Sequence, residues 1–163
     1  MRREIRLLND FIQANMINKT NDSTPLKAVY VGKPNGIYGE SVPCVYLIPS
    51  TSNALRAQYV GEDTVTNNIV IRIYVGAMRD PEYTVDDPTP TTLELIDLTE
   101  TLIRYLRVDP TFKSRFVSTE LGNISYKQEQ SGDVNVFRYS EFTLTIISRQ
   151  LWQMDGLTDD NET

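Results

Sequence analysis

A chain of 163 residues carries 22 acidic and 16 basic side chains, a net charge of -6, and no histidine. That length suits a single domain, which buries about 70% of the surface its unfolded form exposes. Without histidine there is no Ser–His or Cys–His nucleophile pair, and the lone Cys44 excludes an intramolecular disulfide and a Cys/His zinc cage.

The acidic balance, with a sequence pI near 4.7, does not offer the basic footprint of a nucleic-acid binder. Arg2, Arg3 and Arg6 form a small basic cluster at the start, expected to be a solvated helix end. Arg6, Asn9, Asp10 and Gln13 interrupt the first apolar residues, so no signal-peptide h-region forms there. No apolar run approaches a membrane span, and a cytosolic protein is expected.

The first helix is predicted over Arg3 to Ile17, with Ile5, Leu8, Phe11, Ile12 and Met16 at helical spacing. After a polar break, Lys27 to Val31 reads as a short strand. Gly32 to Gly39 reads as a turn-rich connection, since its spacing is not that of a phosphate-cradling loop. Val42 to Ile48 reads as a strand, with Cys44 a buried thiol and with Pro43 and Pro49 marking an edge or a strand end. Ser50 to Asn53 is expected to be loop, Leu55 to Tyr59 a further strand, and Gly61 to Thr64 a hairpin turn.

The clearest strand signal runs from about Val65 to Ala77. Ile69, Ile71, Ile73 and Val75 alternate with Asn68, Arg72 and Tyr74, so the former should face the core. Arg79 to Pro90 is an acidic, proline-containing stretch that suits neither a helix interior nor a central strand. A second helix is predicted from Pro90 or Thr91, with Thr91 and Glu94 as a capping box. Leu95, Leu98, Leu102 and Leu106 form its stripe, and it should stop before Asp109-Pro110. Thr111 to Thr119 reads as a link, Ile124 to Gln130 as a strand, Ser131-Gly132-Asp133 as a turn, and Val136 to Ser148 as a long final strand. The expected architecture is α+β: a single, mainly antiparallel β-sheet packed against two α-helices. One domain should span residues 1–154, followed by an acidic, flexible tail over 155–163.

Candidate functional residues are surface groups. Asp86-Asp87 and Asp159-Asp160 read as solvated or interface charge, because neither pair has the acidic spacing of a calcium loop. Tyr30, Tyr46, Tyr74, Tyr126 and Tyr139 all fall in predicted strands. Strand propensity accounts for each singly, and as a group they point to an interface. The candidate assembly residues are Arg79, Asp80, Glu82, Tyr83, Asp86 and Asp87 in the acidic stretch, with Tyr74, Tyr126 and Tyr139 on the strands. No catalytic group, cofactor site or metal site is assigned.

The order of elements carries a resemblance. A helix, a set of strands, an acidic loop, a second helix leading into Leu106-Arg107-Val108-Asp109-Pro110-Thr111-Phe112, and the long strand Phe137 to Ser148 resemble the tail terminator, or tail completion, proteins of long-tailed bacteriophages. The likeness spans about Ile5 to Arg149, and its motifs are diffuse. It implies a virion subunit at the tail–neck junction, forming a homohexameric ring that caps the tail tube, stops its polymerisation and presents a docking face to the head–tail connector. DNA would pass through the ring without sequence-specific binding, and no cofactor or catalysis is implied. One alternative is another neck component, a head-completion or head–tail adaptor protein. Another is a histidine-free carboxylate enzyme, whose mark would be paired carboxylates in an apolar pocket.

Overall fold

Alternation along three long strands sets the architecture. The computed structural model describes residues 1–17, 26–37, 41–56, 62–76, 89–112, 115–131 and 135–151. Helix α1 spans Arg2–Ile12 and continues as a π-helical turn over Gln13–Ile17. The strands are β1 (Ala28–Val31), β2 (Cys44–Arg56), β3 (Glu62–Gly76), β4 (Ser118–Leu121), β5 (Ser125–Ser131) and β6 (Asn135–Leu151), with helix α2 (Thr89–Val108) between β3 and β4. They form one six-stranded sheet in the order β1-β2-β3-β6-β4, with β5 also paired to β6. The fold is α+β, as expected. Among the described residues only β1 and β2 run parallel, and every other pair is antiparallel.

Both helices cover one face of the sheet. Ile5, Leu8, Ile12 and Met16 from the first helical segment meet Leu95, Leu98, Leu102, Ile103 and Leu106 from α2 over Val45, Leu47, Ile69, Ile71, Ile73, Val75, Phe142, Leu144 and Ile146. The residues expected to share the core do so. Each large aliphatic side chain buried here contributes about 1.5–3 kcal/mol. Where β6 passes under α2, Thr99 and Ser140 are fully buried and their hydroxyls lie 2.7 Å apart, so two polar groups satisfy each other inside the core.

Several boundaries differ from the sequence reading. Residues 51–56, expected to be a loop and a separate strand, continue β2, and 62–64, expected to turn, open β3. The register slips between Pro49 and Thr51, so Ser50 is an extra residue on β2. This bulge moves Thr51 to the face that Pro49 does not occupy, and it accommodates a proline that cannot donate to the ladder. β2 lies between β1 and β3 only over Cys44–Leu47; Pro49 stands beyond the reach of β1, at a local edge, and Pro43 directly precedes the strand. Hydrogen bonds from Ser52 Oγ to Asn67 Oδ1 (2.6 Å) and from Asn68 Nδ2 to Thr51 Oγ1 (2.8 Å) tie its polar half to β3. Helix α2 begins at Thr89, so Thr91 lies within it and is not its cap. Pro90 suits the first turn, where no intrahelical N–H bond is lost. The helix ends at Val108, before Asp109-Pro110 as expected.

The segment after α2 is anchored by one aromatic. Phe112 adopts φ 50°, a left-handed conformation that costs a bulky residue about 1–2 kcal/mol. Burial of its ring against Phe11 (4.8 Å between centroids) and Phe116 (5.1 Å) offsets that cost. Residues 115–117 then lead into β4, a strand within the expected link. Between β4 and β5, residues 122–124 stand against only 142 and 143 of β6, a second one-residue bulge.

The helix-free face is covered near β1 and β2. Ile37 and Val42, from the connection between those strands, pack over Cys44, Tyr46, Ile48, Tyr74 and Phe137. Burial pushes the Cys44 thiol up to about 12, so it stays an inert core thiol. A Cβ on Gly76 would sit 2.8 Å from Val42 Cγ2. Valine is stiff about χ1 and has little room to yield. Gly76→Ala is therefore expected to destabilise by about 1–3 kcal/mol, read as a lower denaturant midpoint at unchanged slope. A variant as stable as the parent would contradict this packing.

Candidate functional site

Four tyrosines line up across the helix-free face because the register puts alternate residues of four strands side by side. Tyr30 pairs with Tyr46 across β1 and β2, and Tyr74 pairs with Tyr139 across β3 and β6. Tyr30 and Tyr46 stack at 5.0 Å, Tyr46 meets Tyr74 edge-on at 5.6 Å, and Tyr74 stacks on Tyr139 at 4.9 Å. Such contacts are worth about 0.5–1.5 kcal/mol each beyond the area they bury. Exposure is graded along the row: Tyr30 is 38% exposed, Tyr46 8% and Tyr74 0%. The ladder is a buried spine with an accessible end at β1.

A charged cluster closes the other end. Arg72 Nε binds Glu141 Oε2 at 2.6 Å, and Lys127 Nζ binds Glu141 Oε1 at 2.6 Å. The Arg72 guanidinium lies over the Tyr139 ring, 5.2 Å from its centroid, and the Tyr74 hydroxyl donates to Glu129 Oε2 at 3.1 Å. These bonds join β3, β5 and β6. Lys127, with Arg72, holds the Glu141 carboxyl below its ordinary value of 4.5 despite partial burial. A depressed carboxyl stabilises the fold above its unfolded pKa and loses that contribution as pH falls through the folded value. Acid unfolding should therefore steepen below about pH 4.5, and Glu141→Gln should remove that part of the pH dependence. The variant should also cost about 1 kcal/mol at neutral pH. Identical acid profiles for parent and variant would contradict the assignment.

A second polar anchor joins the start of α1 to the far end of β6. Glu4 accepts from Ser148 Oγ at 3.0 Å and pairs with the Met1 ammonium at 2.7 Å, fixing the start of α1 over the C-terminal end of β6. Burial opposes the Glu4 charge, but these bonds and a backbone hydrogen bond hold its carboxyl below 4.5.

The candidate residues separate into three groups. Tyr74 is enclosed within the chain and holds the ladder, whereas Tyr139 is half-buried beneath Arg72. Tyr126 faces the helical side at the edge of the sheet and is 49% exposed. Its phenol is raised by burial and by the nearby charge of Glu100 on α2. Arg79, Asp80, Glu82, Tyr83, Asp86 and Asp87 lie outside the described residues, as do Trp152 and the acidic tail. Arg72, Lys127, Glu129 and Glu141 were not anticipated. Their only signal was opposite charge at alternate positions of strands whose register the sequence does not reveal.

Among the described residues no three His, Cys, Asp or Glu side chains are grouped to hold a metal ion. No helix among them is long and apolar enough to cross a membrane. No protein-family model matches the chain, and no curated protein matches it.

The sheet's two outer edges complete the candidate surface. β1 forms one edge, and β4 with β5 forms the other. Both carry exposed apolar side chains: Tyr30 and Val31 (58%) on β1, Ile124 (41%) and Tyr126 at β5. An open edge offers backbone donors and acceptors for a further strand.

Proposed function

We propose that the chain is a structural virion subunit, a tail terminator of a long-tailed bacteriophage that assembles into a hexameric ring on the end of the tail tube. The observation that carries this reading is the order of elements: a helix, a set of strands, and a second helix leading into Leu106–Phe112 and then into strands that close against β6. An open sheet with apolar side chains at both edges is consistent with a repeating subunit. In this role the ring stops tube growth and offers its outer face to the head–tail connector. The net negative charge disfavours adhesion of DNA passing through the ring. The acidic stretch containing Asp80, Glu82, Asp86 and Asp87 contributes a contact whose charge favours a basic partner surface.

Binding to isolated structures of the parent bacteriophage tests this assignment. The protein should bind the ends of purified tail tubes and block addition of further tube subunits. Binding to DNA-filled heads but not to tubes would reassign it to another neck component. Binding to neither would remove it from the neck.

A further inference from the structure

We propose that the ring closes by sheet continuation, with the β1 edge of one subunit meeting the β4–β5 edge of the next. This rests on the ring reading above and specifies the surfaces that build it. Among the described residues the sheet has two unpaired edges, and they differ. One is the four-residue parallel strand β1; the other is the bulged antiparallel pair β4 and β5 on β6.

Charge distinguishes the possible pairings. The charged side chains of residues 26–37, around β1, are Lys27 and Lys33, both exposed. Glu94 of α2 lies near enough to Lys27 to offset part of its charge. Along 118–131 the charged residues are Glu120, Lys127 and Glu129, and Lys127 is held by Glu141. Glu100 adds a negative charge beside Tyr126. The β1 edge is thus modestly basic and the β4–β5 edge modestly acidic: Glu120 and Glu100 outweigh exposed Arg115, while Arg72, Lys127, Glu129 and Glu141 balance one another. A β1–β1 contact opposes lysines, and a β5–β5 contact, which can set Lys127 against Glu129, leaves Glu120 and the β1 lysines unmatched. The unlike pairing engages the charges of both edges at once, and it is head-to-tail, the kind that generates a closed ring when the rotation fits. The exposed Tyr30 and Val31 would then be covered together with Ile124 and Tyr126, removing apolar surface from water at both edges at once.

The test is thiol crosslinking at the edges. Val31→Cys is combined in one chain with Gln128→Cys, and each single variant is made as a control. A short bis-maleimide linker is added to the protein at high concentration and, separately, to protein bound to tail tubes. Cys44 is fully buried, with its thiol raised, and stays unreacted in the folded chain. The double variant should give a ladder of products up to the ring, and the single variants no ladder. Raising salt should lower ladder yield severalfold, because opposite charges are screened; a contact between like charges would respond in the opposite sense. Dimers from a single variant, with no ladder from the double, would overturn the pairing in favour of a two-fold contact. Rings visible by electron microscopy that give no crosslinked ladder would overturn the edge pairing and leave the terminator reading standing. Protein that remains monomeric both alone and on tubes would overturn both.

Discussion

Ile71→Asp should leave the chain largely unfolded. Ile71 is fully buried at the centre of the sheet, opposite Leu47 on β2 and Phe142 on β6, beneath the two helices. The substitution removes a side chain whose burial contributes about 1.5–3 kcal/mol and places a carboxyl among hydrocarbon. The carboxyl must then remain protonated or draw water into the core, and either adds several kcal/mol. Domains of this size have about 5–15 kcal/mol in total. Circular dichroism should show loss of the cooperative melt at neutral pH, with partial recovery in acid where the aspartate is neutral. A cooperative melt at the parental temperature would place Ile71 outside the core.

The second large effect is expected at Tyr74, where two substitutions separate packing from hydrogen bonding. Tyr74 is fully buried between Tyr46 and Tyr139, and its hydroxyl meets Glu129 and Arg72. Tyr74→Ala removes the central ring and should cost about 3–5 kcal/mol, as large aromatic truncations do. Tyr74→Phe keeps the ring and loses only the hydroxyl bonds, so about 1 kcal/mol is expected. Chemical denaturation of both variants measures the difference. Equal losses would mean that the hydroxyl, and not the aromatic row, holds β3 to its neighbours.

Periodicity revealed most of the core. Ile69, Ile71, Ile73 and Val75 on β3, and the leucine stripe of α2, are buried where their spacing put them, because one covered face imposes a period of two on a strand and 3.6 on a helix. The bulge at Ser50 concealed the second half of β2. A one-residue slip breaks the alternation, and Ser50 to Asn53 has the composition of a loop although its polar side chains bond across to β3. β4 is only Ser-Thr-Glu-Leu and carries too little pattern to be seen. The parallel direction of β1 is a matter of pairing, which alternation does not encode.

The candidate surface was less legible. The tyrosines were evident as a group, but their order as a ladder depends on cross-strand register. The complete burial of Tyr74 depends on Ile37, from a segment that reads only as turns, and on Val42, which reads as strand but lies just before β2. The Arg72–Glu141–Lys127 cluster joins residues far apart in the chain, so no local spacing announces it. The basic and acidic edges likewise become visible only once the strand order is known.

The proposed terminator role is tested most directly by electron microscopy of the purified protein mixed with bacteriophage tail tubes. The account predicts a six-fold ring, one per tube, seated on the end where growth has stopped. One or two copies at a tube end, or protein scattered along the tube wall, would contradict it.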